Sequence, residues 1–159
     1  MKTIIKILYF GITLSLFIAC GNDNNDVIDN EKPKITAEGI EASPLDCEVY
    51  QKGQTIPVRY LLKDNIGLGN YVIEIHQNFD HHTHGTSSTN CDLDADKEPI
   101  NAWIFFKTYE IERQPKSYTV SQDIKIPTDI DSGDYHFMIR LTDISGWQEI
   151  KAIAIKIKD

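Results

Sequence analysis

Four histidines fall within nine positions, His76, His81, His82 and His84 in the stretch "HQNFDHHTHG", and the fifth, His136, lies more than fifty residues downstream. Neutral imidazole is a ready ligand for zinc, copper and nickel, and histidine-rich tracts are compositional signals for metal. Three or four such nitrogens would complete a transition-metal site at neutral pH. Without metal, the same residues read as a solvated polar loop with an isolated surface histidine, or as a cluster titrating near pH ~6.5.

A shared site requires that His136 be brought back to the tract. From Pro33 onward the chain shows short apolar or alternating runs between turn residues and no amphipathic helix, which predicts an all-β domain. Seven strands are expected, on "KITAEGI", "TIPVRYLLKD", "NYVIEIHQN", "NAWIFFKTYEI", "YTVSQDIKIP", "DYHFMIRLTD" and "EIKAIAIKI". That number and spacing predict an immunoglobulin-like antiparallel β-sandwich. "DSGDYHF", Asp131 to Phe137, resembles the tyrosine corner at the entry to strand F, which gives Tyr135 a structural role.

Strand parity then places the histidines. If Tyr71, Ile73 and Ile75 face the core, Glu74 and His76 face outward; if Tyr135, Phe137, Ile139 and Leu141 face inward, His136, Met138 and Arg140 face outward. In this fold the two strands are antiparallel neighbours, C and F, so the end of one lies beside the start of the other. Directly opposed Cβ atoms are roughly 4.5–5.5 Å apart, close enough for two imidazoles to share an ion. His82 and His84 form a His-x-His pair with both side chains on one side if extended. The expected ligands are therefore His76, His82, His84 and His136, with His81 and Asp80 in reserve, and zinc or copper as the ion.

The stretch between Asn78 and Asn101 has no strand pattern, and loops this long are usually functional or disordered. Within it, "CDLDADKE" offers Asp92, Asp94, Asp96 and Glu98 in an opening like that of an EF-hand. Lys97 stands where glycine is needed and Trp103 where the bidentate glutamate belongs, so a solvated charge run is the expectation. Trp103, Phe105 and Trp147 are expected in the core rather than on an exposed glycan platform. No Ser-His-Asp order, paired-carboxylate spacing or HExxH motif is present, and the protein is not expected to be an enzyme.

The compartment follows from the N-terminus. Lys2 and Lys6 precede a short apolar run, Ile7 to Ile18, too brief to span a bilayer, and "FIAC" places Ala19 before Cys20 as in a bacterial lipobox, with Phe17 where leucine is usual. Residues 1–19 are thus expected to be a lipoprotein signal peptide. Residues 20–32 would be a lipidated flexible linker beginning at Cys20, and 33–159 the sandwich domain. With Cys20 acylated, Cys47 and Cys91 remain as an even pair in an oxidising compartment, and a disulfide is expected between them. Thiolate ligation is the alternative, but Cys-x-x-Cys spacing is missing. Removal of the leader takes the net charge from -8 to -10, which excludes nucleic acid and suits cations.

The lipobox, "DNIGLGNYVIEIHQNFDHHTH" and "SGDYHFMIRLTD" together resemble an uncharacterised family of lipoproteins from Bacteroides-type bacteria with an immunoglobulin-like fold. The acidic stretch after Cys20 is similar to the signal for display on the outer face of the outer membrane in such lipoproteins. The resemblance implies fold and location, with the periplasmic face as the other possible location, and carries no activity. The expected function is capture of a transition-metal ion, or a metal-bearing ligand, for a neighbouring uptake system such as an outer-membrane transporter. The alternative is a non-catalytic adhesion or scaffolding module for a protein or glycan.

Overall fold

The computed structural model describes residues 28–83 and 91–159, and among these every regular element is a strand. The expected signal peptide, Cys20 and His84 lie outside the described residues. The strands are β1 (Lys34–Thr36), β2 (Glu48–Gln51), β3 (Thr55–Lys63), β4 (Leu68–Gln77), β5 (Phe105–Glu110), β6 (Ser117–Lys125), β7 (Gly133–Asp143) and β8 (Gln148–Lys158). They form two sheets, β1-β3-β6 and β2-β8-β7-β4-β5, the layers of an immunoglobulin-like sandwich.

Two details refine the expected sandwich of about seven strands. The described residues form eight, because "EVYQ" adds β2, and β2 pairs in parallel with β8, so the larger sheet is mixed. Only Tyr50 of β2 is buried, so the segment has too few inward positions to show an alternation.

The core is built by period-two alternation. Ile56, Val58, Tyr60 and Leu62 of β3 face Tyr71, Ile73 and Ile75 of β4 and Tyr135, Phe137, Ile139 and Leu141 of β7, all at most 1% exposed. Burial of each such aliphatic or aromatic side chain contributes about 1.5–3 kcal/mol. Trp103 joins this core at 8% exposure, with Phe105 packed against it. Trp147 departs from expectation: it is 42% exposed, because it sits in the turn between β7 and β8 rather than on a strand face.

Tyr135 acts as its motif predicts. Its hydroxyl donates to the Asp131 carbonyl at 2.7 Å, reaching back to the connection that enters β7. Cys47 and Cys91 are joined in a disulfide with Cα atoms 5.2 Å apart. The bridge fastens the far part of the β4–β5 connection beside β2 and β8, where the Cys47 N–H also donates to the Ala154 carbonyl.

Candidate metal centre

β4 and β7 pair antiparallel in a register that sets His76 directly opposite His136. Both lie on the outer face, since their neighbours Ile75 and Phe137 are fully buried. The two imidazole centroids are 5.4 Å apart. The pairing thus brings together two histidines 60 positions apart in the sequence.

The third ring arrives by a turn. Beyond β4, Phe79 drops into the core at 3% exposure and packs edge-on against Tyr135, with centroids 5.4 Å apart. Gly133 makes this possible: its φ is +135°, and a Cβ there would stand 2.9 Å from Phe79 Cε1. The Asn78 N–H donates to the Asp134 carbonyl and the Lys97 N–H to the Phe79 carbonyl, fixing both sides of the anchor. His81 takes a left-handed conformation, φ +54°, and the chain doubles back so that His82 lies over the sheet. His82 stacks on His76 with centroids 5.5 Å apart, and meets His136 edge-on at 5.0 Å.

The outer nitrogens are oriented by carboxylates. His82 Nδ1 lies 2.6 Å from Asp80 Oδ1, and this hydrogen bond holds the Asp80 carboxyl below its usual range. His76 Nδ1 lies 3.1 Å from Glu74 Oε1, an ion-pair distance without hydrogen-bond alignment. Both Nδ1 atoms thus face carboxylates, while the two Nε2 atoms lie 3.3 Å apart, within hydrogen-bonding distance of each other. Two nitrogens bound about 2.0–2.1 Å from a tetrahedral zinc ion are separated by about 3.3–3.4 Å, and the two Nε2 atoms have a similar spacing. His136 is arranged differently. Its Nε2 lies 3.0 Å from the His82 carbonyl, a hydrogen bond that holds the returning loop down.

The reserve positions are accounted for. Asp80 is an orienting partner of His82, while His81 Nδ1 is drawn 2.8 Å from Asp96. The acidic run does not converge: Asp96 pairs with His81, and Asp94 with Lys156 at 2.6 Å. Asp94 is thereby held below the usual carboxylate range, chiefly by the Lys156 ammonium against the opposing effect of burial. Sequence reasoning placed Glu74 outward without giving it a role; its position two residues before His76 on the same strand face was the available signal.

No curated protein matches the sequence. A family model matches residues 18–158, nearly the whole chain, a span that includes every histidine described above. On that match the chain belongs to the family defined by the domain of unknown function DUF4625.

Proposed function

We propose that this protein is a lipid-anchored, non-catalytic metal-binding protein of the outer membrane, in which His76 and His82 grip a transition-metal ion, zinc or copper, for delivery to a neighbouring uptake system. The reading is carried by the 3.3 Å separation of two Nε2 atoms whose rings both turn Nδ1 toward a carboxylate. A carboxylate on Nδ1 favours the proton there, which would let both Nε2 atoms donate to a cation. Glu74 and Asp80 supply the outer-sphere orientation that ligating histidines almost always have. His136 and His84 are the sequence's candidates for the remaining positions. Cys20 would carry the acyl anchor, and the net acidity of the chain would favour cation approach.

Calorimetric titration of metal-free protein with Zn(II) and with Cu(II) tests the reading. Saturable binding at micromolar or tighter affinity, lost in His76→Ala and His82→Ala, supports it; no binding of either ion to the parent protein rejects it.

The second reading, an adhesion or scaffolding module, draws on Ile100, Ile104 and Phe106, which are 94%, 73% and 62% exposed at and just before edge strand β5. Capture of a protein or glycan that survives chelator and histidine replacement, but not Phe106→Ser, would favour it.

A further inference from the structure

At the opposite end of the β4–β7 pair, three carboxylates from distant parts of the chain meet. One oxygen from each of Asp29, Asp64 and Asp143 lies within 4.8 Å of those of the other two. Asp29 precedes β1, Asp64 follows β3, and Asp143 ends β7. Each acid commits one oxygen to its own surroundings. Asp64 Oδ2 accepts the N–H groups of Ile66 and Gly67. Asp143 Oδ1 accepts those of Ser145 and Trp147. Asp29 Oδ1 accepts the Glu31 N–H and the Asn65 side-chain amide.

The other oxygens are the informative ones. Asp29 Oδ2, Asp64 Oδ1 and Asp143 Oδ2 are buried without a hydrogen-bond partner, as is Asn65 Oδ1 on the amide that abuts Asp29. Asp143 is only 4% exposed, so its second oxygen is a desolvated acceptor at the core's edge. Among the described residues no Lys, Arg or His ion-pairs with any of the three acids. Buried charge without a counter-charge is strongly unfavourable.

We propose that Asp29, Asp64 and Asp143, with the Asn65 amide oxygen, form a calcium site. The donor set is all oxygen, which selects a hard cation over the borderline metals that imidazole prefers. Calcium takes oxygen ligands at about 2.3–2.6 Å, so two ligands of one ion stand at most about 4.6–5.2 Å apart, the span seen here. Magnesium, at about 2.0–2.1 Å, needs a tighter set and gives up its waters reluctantly. The ion would tie the segment entering the domain to the β3–β4 and β7–β8 turns. The Trp147 indole N–H already donates to the Asp29 carbonyl at 3.1 Å across the same junction. This site is independent of the histidine reading, which rests on other residues and another class of metal.

Full-length protein extracted in a nonionic detergent and stripped with chelator tests the proposal. Calcium chloride, titrated to the low-millimolar range used by extracellular calcium modules, is expected to raise the unfolding temperature saturably. Terbium(III) is expected to give luminescence sensitised by Trp147 and to be displaced by calcium. Asp143→Asn should weaken calcium binding by about tenfold or more, because ligand charge sets affinity. Since Asp143 also secures the β7–β8 turn, Asp29→Asn, outside any strand, serves as the second variant and should weaken calcium binding while leaving zinc affinity unchanged. The proposal is overturned by a calcium response that is absent in the parent protein, undiminished in Asp29→Asn, or reproduced by magnesium at the same concentration.

Discussion

Replacing Cys47 and Cys91 together by alanine releases a covalent ring that spans a sequence separation of 44 residues. In the chain-entropy account, closing a loop of that length removes about 13 cal/mol/K from the unfolded ensemble, or about 4 kcal/mol at 25 °C. At about 2.1 cal/mol/K of unfolding entropy per residue over roughly 130 folded residues, the loss lowers the midpoint by about 15 °C. Scanning calorimetry of the double variant measures this, and the parent protein in a strong reductant should match it. A fall of less than about 3 °C would refute the reasoning, since it would correspond to under about 1 kcal/mol and mean that the unfolded chain gains little from release. Zinc affinity should fall as well, because Cys91 secures the far side of the connection whose near side carries His81 and His82.

Asp80→Asn keeps the shape at His82 but removes the carboxylate on Nδ1; zinc affinity should drop about 10- to 100-fold by calorimetry, and an unchanged value would deny Asp80 its orienting role. Tyr135→Phe deletes the hydroxyl that bonds the Asp131 carbonyl and should cost about 1–3 kcal/mol in urea unfolding, with a smaller loss showing that water replaces the bond. The Asp131 carboxyl is held below its usual range by the Asn101 N–H first and the Ile100 N–H second, against burial. A lowered folded pKa gives stability that is present above the unfolded value of about 3.9 and is lost as pH falls through the folded one. The parent protein should therefore lose stability on acidification in this range more steeply than Asp131→Asn, as followed by circular dichroism, and parallel profiles would remove Asp131 from the account.

What could be read from sequence depended on periodicity. β4 and β7 carry long, clean alternations, so the inward faces of Tyr71, Ile73, Ile75, Phe137 and Ile139 followed directly, and with them the meeting of His76 and His136. The tyrosine corner was legible because a short local motif fixes it. β2 was missed because four residues with one buried side chain have no period, and its parallel pairing is a property of a strand far along the chain. Trp147 was misassigned by treating turn residues as a continuation of strand alternation. The fold-back of His82 depends on Phe79 finding a pocket above Gly133, a contact between segments that no local pattern encodes. Asp29, Asp64 and Asp143 are dispersed along the chain and form a group only through strand pairing, so no spacing rule exposes them.

The hydrogen bonds of Asp29 also settle which pole of the molecule receives the incoming chain. It enters beside the β3–β4 and β7–β8 turns, whereas His76 lies eight residues up β4 from Leu68, about 26 Å away at about 3.3 Å per residue. Any surface gripping this protein through its N-terminal segment would therefore hold the imidazoles at the outermost tip, where a docking neighbour meets them first.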